Sequence, residues 1–247
     1  MEAPEGGTFF MGMWMPATER HFIGMMKDHS KVGVVRGRGT YQKHKLDLAM
    51  KRVPLDRRRV AVDIGAHVGL WSVWLIRLFE RVEAFEPVPL HAKLFTMNVP
   101  GKVDPDETVG NYWLHQVALG DREGTVGINV PSHTTGNATV AEGGNERAAT
   151  VTDVKMITLD SLNLPIVDFI KIDVEGYELQ VLRGAAETIK RCRPYLVVEQ
   201  KGNDEKLYRR ERNEGLRFCL HELGMKSLGE YAGDHILGWP EPVVDAA

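Results

Sequence analysis

One short stretch constrains the fold more than any other. The run Val60–Ile64 is apolar except for Asp63, and it passes at once into Gly65-Ala66-His67-Val68-Gly69. A strand apolar on both faces belongs inside a sheet covered on two sides, the setting of parallel strands joined through helices. Glycines directly after such a strand let the backbone turn tightly and approach a ligand. Val68, Trp71, Leu75 and Phe79 then recur at helical spacing and predict a helix over Val68–Phe79.

The same alternation continues downstream. Val82–Phe85 reads as a second strand ending at Glu86-Pro87, followed by a helix over Pro89–Met97. Three strands without helices come next, Tyr112–Leu119, Thr125–Val130 and Thr150–Leu159, with Pro131–Ala149 read as a long mobile loop rich in Ser, Thr, Gly and Asn. Val167–Val174 is the clearest buried strand, followed by a helix over Tyr177–Ile189, a strand over Tyr195–Val198 and a helix over Lys206–Leu223. Met225–Leu237 reads as a closing hairpin that adds an antiparallel C-terminal strand. Upstream, residues 1–40 show no sustained period, and Leu46–Val53 is a short helix stopped by Pro54. The expectation is an α/β fold: a doubly wound, Rossmann-like, mostly parallel sheet with helices on both faces.

Composition excludes several classes. With 247 residues, 43% apolar, and a net charge of −3, the chain can bury a sizeable core, and overall disorder is a poor reading. Two cysteines rule out a disulfide scaffold and point to a reducing compartment, hence a cytoplasmic location. No run of 18 apolar residues is present, so no membrane span or membrane partner is expected. Thr8–Met15 is short, broken by Gly12 and preceded by Glu2 and Glu5, unlike a secretory signal. Charge is unevenly spread: residues 1–59 carry a net +6 and residues 60–247 a net −9. The domain reading is an N-terminal extension over 1–44, basic towards its end, a catalytic domain over 45–240, and a tail over 241–247.

Glu86 stands 21 residues after Gly65, where a carboxylate at a strand end can accept bonds from ribose hydroxyls. A dinucleotide fingerprint would place glycine where His67 stands, and the imidazole would crowd a pyrophosphate. A nucleoside without phosphates fits better. S-adenosylmethionine is such a ligand, with its amino-acid end against Asp63 and the glycine turn. The block Asp168–Glu178 carries Lys171 in the body of a strand, where an ammonium needs a partner, and Asp173 is the obvious one. Glu175 and Glu178 fall at the start of the next helix; capping explains Glu178, whereas Asp173 and Glu175 share a sheet edge with Gly65 and Glu86. Carboxylates at such an edge can act as general bases towards a group bound within hydrogen-bond reach. The catalytic candidates are Asp173, then Glu199 at the end of the neighbouring strand, then Glu175, with Lys171 beside them.

The blocks Val62–Gly69, Phe85-Glu86-Pro87, Val117–Asp121, Thr158–Leu162 and Phe169–Ala185 resemble the FkbM family of S-adenosylmethionine-dependent methyltransferases, over roughly residues 45–230. The resemblance implies a class I methyltransferase fold and O-methylation of sugars, glycans or small natural products. It implies that Asp63, Gly65 and Gly69, with Ala66 and His67 between them, hold the methionine end. Glu86 and Pro87 would lie at the ribose, Val117 and Ala118 at the adenine edge, and Asp173 at the cofactor as well as the acceptor. Gln116 departs from the family's usual Asn, and the first 40 residues have no family counterpart.

Two other functions stay open. Lys43 or Lys45, Asp173, Lys201 and Glu230 match in type and order the Lys-Asp-Lys-Glu set of RNA ribose 2′-O-methyltransferases, and Arg36–Arg59 would suit phosphate contacts. A catalytically silent cofactor-binding module, docking a partner through residues 1–59, is the third reading. No His-x-Glu-x-x-His spacing occurs, so no metal is expected. His67, His133 and His235 read most simply as packing or surface histidines, Trp71 and Trp74 as core, and Asn137-Ala138-Thr139 as a chance glycosylation pattern. Substrate choice is placed in Met1–His44 and the Ser132–Ala149 loop.

Overall fold

The computed structural model describes residues 4–27, 34–35, 38–39, 41–99, 111–132, 134–142 and 150–240. The expected tail over 241–247, His133 and all of 143–149 in the expected loop lie outside them. In chain order the N-terminal elements are β1 (Gly7–Phe10), β2 (Met13–Pro16), α1 (His21–Lys27), β3 (Val34–Val35), β4 (Arg38–Gly39) and α2 (Lys43–Met50). Then come β5 (Val60–Ile64), α3 (Ser72–Leu75), β6 (Arg81–Phe85), α4 (Pro89–Asn98), β7 (Tyr112–His115), β8 (Ala118–Leu119), β9 (Gly124–Val130), β10 (Thr139–Val140) and β11 (Thr150–Ile157). The last elements are β12 (Phe169–Ile172), α5 (Glu178–Arg183), α6 (Ala186–Cys192), β13 (Tyr195–Glu199), α7 (Asn203–Tyr208), α8 (Glu214–Arg217), β14 (Lys226–Tyr231) and β15 (Asp234–Gly238).

Seven strands form the central sheet in the order β7-β6-β5-β12-β13-β15-β14. The first five are parallel; β15 runs antiparallel to β13, and β14 antiparallel to β15. This is the doubly wound class I methyltransferase arrangement with an antiparallel C-terminal strand. One apolar core joins α2, α3 and α4 to one face of the sheet, and a second joins α5, α6 and the stretch after α8 to the other. Among the described residues no helix is long and apolar enough to cross a membrane.

Several expectations need correction. Residues 7–16, expected to be irregular, form the β1–β2 hairpin. Met13 and Met15 are fully buried in the first core, and Asn98 at the end of α4 clamps Trp14 from both sides of its peptide: Trp14 N–H donates to Asn98 Oδ1 at 2.6 Å, and Asn98 Nδ2 donates to the Trp14 carbonyl at 2.8 Å. Tyr112–Leu119 is not one strand. The chain leaves the central sheet after His115, and β8 starts a second sheet, β10-β9-β11-β8. Only Ser72–Leu75 of the expected Val68–Phe79 helix is α-helical, with tighter turns on both sides (Trp74 N–H to the Trp71 carbonyl, Leu78 N–H to that of Leu75). This segment is buried nearly all round, so core packing decides its shape over one-face periodicity.

Tyr177–Ile189 breaks into α5 and α6 at Gly184, which lies so close to the Gly120 carbonyl that a Cβ there would sit 1.9 Å from the oxygen. The Lys206–Leu223 helix is likewise interrupted; Arg209 and Asn213 have φ of +54° and +60°, and Phe218–Glu222 winds as a π-helix. The expected basic face is also partly used up internally. Arg57 and Arg59 both bond the fully buried Asp168 at the start of β12, and Arg58 bonds the Met50 and Val53 carbonyls. Burial alone would raise the Asp168 pKa, but the guanidinium hydrogen bonds outweigh it and hold the carboxyl below the usual range.

Candidate active site

The carboxyl ends of β5, β6, β12 and β13 bring the expected residues to one edge of the sheet. Parallel pairing sets Lys171 beside Asp63 on β5 and Val197 on β13. Lys171 is 4% exposed; its Nζ donates to the Gly65 carbonyl at 2.8 Å and the Ile64 carbonyl at 3.3 Å. Its nearest carboxylate is Asp63 at 3.4 Å, with Asp173 at 3.9 Å, so Asp63 and not the expected Asp173 is its first partner. Burial works against the ammonium, but Asp63, Asp173 and Glu199 outweigh it and raise the Lys171 pKa. Asp63 is fully buried, accepts the Ser72 hydroxyl at 2.7 Å on Oδ2, and has no hydrogen bond on Oδ1.

Two cavities meet here. The smaller, about 60 Å³, is lined by Gly65, His67, Glu86, Pro87, His91, Val117, Ala118, Leu119, Ile128, Val140, Asp173 and Tyr177, among others. Val117, Ala118, Leu119, Ile128 and Val140 give it an apolar side, while Asp173, Thr135 and Glu86 are polar; Glu86 accepts the His67 N–H at 2.8 Å, the Val88 N–H at 2.9 Å and lies 3.2 Å from His91 Nδ1. The larger cavity, about 320 Å³, is polar: Ala66, Lys171, Asp173, Glu175, Glu199, Lys201, Asn203 and Lys206 line it with Tyr41, Gln42 and Trp71. Gly65, His67, Gly136 and Asp173 belong to both. Gly65 has φ +73°, and a Cβ on it would lie 2.0 Å from the Asp173 carbonyl oxygen, so only glycine fits.

Of the expected cofactor residues, Gly65, His67, Glu86, Pro87, Val117, Ala118 and Asp173 thus surround the smaller cavity, and Ala66 the larger. Asp63 and Gly69 line neither; Asp63 anchors Lys171 from beneath, and Gly69 packs against Val99 and Phe95. Among the described residues, Asp173, Glu175 and Glu199 form an acidic cluster with one oxygen each inside 4.8 Å of the others, a spacing one cation could bridge. Lys201 already pairs with Glu199, and Asn203 donates to Glu175. Burial first, then the Asp173 and Glu178 charges, push Glu175 up to about 8. Burial, Asp173 and Glu175 likewise raise Glu199. Glu178 accepts the Val174 and Gly176 N–H groups at 3.2 and 3.0 Å, the turn-capping role read from the sequence.

The Lys-Asp-Lys-Glu set assembles only in part. Asp173 and Lys201 line the large cavity, but Lys43 pairs with Asp47, Lys45 is buried against Asp234, and Glu230 accepts Gly233 N–H in the β14–β15 turn. The other wall comes from the two segments to which substrate choice was assigned, Met1–His44 and the Ser132–Ala149 loop, although none of its residues was read there as a cavity residue. His21 and Phe22 of α1, Tyr41 and Gln42 ahead of α2, and Asn137 all face the large cavity. Trp71, expected in the core, is buried yet donates Nε1–H to Gln42 Oε1 at 2.9 Å at the cavity's edge.

A glycine turn, a carboxylate at the next strand end and an apolar slot beside them are the features that doubly wound α/β folds present at the carboxyl ends of their strands. The chain belongs to the methyltransferase FkbM domain family, whose model matches residues 63–226. It is 28% identical over 163 residues to Methyltransferase 1 of Beauveria bassiana, covering 56% of this chain and 63% of that protein. It is 26% identical over 159 residues to Methyltransferase sdnD of Sordaria araneosa, covering 51% of this chain and 60% of that one. The chain thus spans less than two thirds of these relatives. Among solved structures it is similar to methyltransferase FkbM of Methylobacillus flagellatus, at 20% identity and a TM-score of 0.48, over 73% of this chain and 43% of the other.

Proposed function

We propose that the protein is an S-adenosylmethionine-dependent O-methyltransferase whose acceptor is a hydroxyl of a sugar, glycan or small natural product. The observation that carries this reading is the junction of the two cavities at Gly65, His67, Gly136 and Asp173. The small cavity suits a nucleoside: apolar walls from Val117, Ala118 and Ile128 for a base, and the Glu86 carboxylate for a ribose. Gly65, held against the Asp173 carbonyl where only glycine fits, brings the turn and Asp173 together at the cavity such a ligand would enter. S-adenosylmethionine supplies an electrophilic sulfonium methyl.

The chain's own residues supply position and proton handling. Asp173, shared by both cavities, orients the acceptor hydroxyl and is the first candidate to take its proton; Glu199 and Glu175 stand next to it. Lys171 fixes Asp173 from one side, and Lys201 tempers the charge of Glu199. The polar wall of Tyr41, Gln42, Asn137 and Asn203 suits an acceptor rich in hydroxyls, with Trp71 and Phe22 offering apolar faces.

Calorimetry with S-adenosylmethionine, wild type against Glu86→Ala, tests the cofactor. Unchanged binding in the variant would sink the assignment of Glu86. A panel of sugar, natural-product and capped-RNA acceptors with radiolabelled methyl donor tests the substrate class. Label in RNA, lost in Asp173→Ala, would overturn the preferred acceptor. Intact cofactor binding with no transfer to any acceptor would favour a silent binding module.

A further inference from the structure

The N-terminal segment reaches the cofactor cavity through three buried side chains. Glu19, only 1% exposed, immediately precedes α1. Its Oε1 accepts the N–H groups of His21 at 2.7 Å and Phe22 at 3.1 Å. Its Oε2 accepts the Thr135 hydroxyl at 2.7 Å and the Gly136 N–H at 3.4 Å. Thr135 Oγ1 in turn lies 3.3 Å from His67 Nε2.

A threonine hydroxyl carries one proton. Thr135 commits it to Glu19, so towards His67 its oxygen can only accept, and the imidazole proton must sit on Nε2. Burial, then the neighbouring His91 and Lys171, hold the His67 pKa well below its usual value, so the ring is neutral. The other nitrogen, Nδ1, is therefore a bare acceptor. It is buried and has no hydrogen-bond partner within the protein. Buried polar atoms in that state ask for an explanation. His67 also holds φ +50°, a left-handed conformation uncommon for a non-glycine residue, with its own N–H on Glu86.

We propose that Glu19 and Thr135 set the His67 tautomer so that Nδ1 accepts a hydrogen bond from a donor group of the nucleoside cofactor. The inference rests on the cofactor reading above. A ribose hydroxyl and the α-ammonium share the required chemistry. His67 is the residue that touches the ligand; Glu19 and Thr135 are positioning residues that act through it. The N-terminal segment, besides walling the acceptor cavity, thereby tunes the cofactor site.

The test uses the full chain with ¹⁵N-labelled histidine. Wild type should show His67 protonated at Nε2, and S-adenosylhomocysteine should shift the Nδ1 resonance. In Glu19→Gln the side-chain carbonyl can still accept from the α1 amides. Its NH₂ faces Thr135, which then turns its own proton towards His67. The tautomer should switch to Nδ1–H, and S-adenosylhomocysteine should bind about tenfold more weakly. Thr135→Val should weaken binding similarly, and Thr135→Ser should restore it. The 2′-deoxy, 3′-deoxy and deamino analogues identify the donor: the one lacking it binds wild type about tenfold more weakly and loses nothing further in Glu19→Gln. Nδ1–H in wild type would overturn the proposal, as would a switched tautomer with unchanged affinity, or the full Glu19→Gln loss for every analogue. No binding of S-adenosylhomocysteine by wild type would instead overturn the cofactor reading, while the spectra of the free protein still decide the tautomer.

Discussion

Removing the Lys171 ammonium should show what holds the site's floor together. Its Nζ stands 3.4 Å from Asp63 and 3.9 Å from Asp173 and donates to two strand-end carbonyls. At an effective dielectric of ~20, charges at these separations attract by about 4–5 kcal/mol each before desolvation is counted. That gross attraction is largely offset by burying the ions, so it does not measure net stability. Lys171→Met is a different matter, because it leaves Asp63 fully buried, with Oδ1 facing neither a hydrogen bond nor a cation. Stranding such a charge costs about 3–5 kcal/mol. In a domain of this size that corresponds to a fall in melting temperature of ~10 °C. Asp63→Asn alone should also destabilise, since it leaves the ammonium with less counter-charge. The double variant should recover at least ~1 kcal/mol relative to the sum of the single losses. Urea unfolding of the four proteins closes the cycle. A Lys171→Met loss below about 1 kcal/mol, or strict additivity, would refute the argument that Lys171 neutralises Asp63.

Gly65→Ala should abolish measurable S-adenosylhomocysteine binding while leaving the far-ultraviolet circular dichroism intact, because the new Cβ must displace the Asp173 backbone; calorimetry decides. Glu178, pushed up to about 7 chiefly by burial, binds more protons folded than unfolded between its ordinary value of 4.5 and 7. Stability should therefore decline as pH rises through that window, and Glu178→Gln should flatten the decline when urea midpoints at pH 5 and pH 8 are compared. If Glu175 takes the acceptor proton, kcat/KM should fall as pH drops below about 8, and Glu175→Gln should remove that limb of the profile. Tyr41→Phe should raise the acceptor KM about fivefold and leave cofactor affinity unchanged, since Tyr41 lines only the polar cavity.

The central sheet was legible because its signals are local. Val60–Ile64 and Tyr195–Val198 are buried runs between turn residues, and β5 and β13 fall on them almost residue for residue. Glu86 and Asp173 were readable for the same reason: a strand end in a parallel sheet fixes where a side chain emerges. The helices were less so. Gly184 breaks a well-patterned helix because the Gly120 carbonyl, 64 positions earlier, occupies the space, and no periodicity carries that fact. Within the segments assigned to substrate choice, the residues that wall the polar cavity could not be picked out, for a related reason. Phe22, Tyr41 and Asn137 have no shared spacing, and they meet only after β12 and β13 have placed Asp173 and Glu199 opposite them. The acidic cluster was legible as well: its members come from two strand ends, 24 to 26 positions apart, and the strand pattern alone puts both ends on one sheet edge.

The bond between Glu19 and Thr135 spans 116 positions, and the clamp of Trp14 by Asn98 spans 84. The segment that carries Trp14 and Glu19 is thus among the last to find its partners. Closing loops of that length is slow compared with forming the β5–α4 region, whose contacts are near in sequence. Met13, Met15 and Phe22 must meanwhile wait in water until the sheet exists to receive them. The acceptor cavity is then the final part of the molecule to mature. Chains caught before that step expose the apolar side chains of Met13, Met15 and Phe22, which makes the β1–β2 hairpin the expected point of chaperone capture and the late, slow phase in refolding.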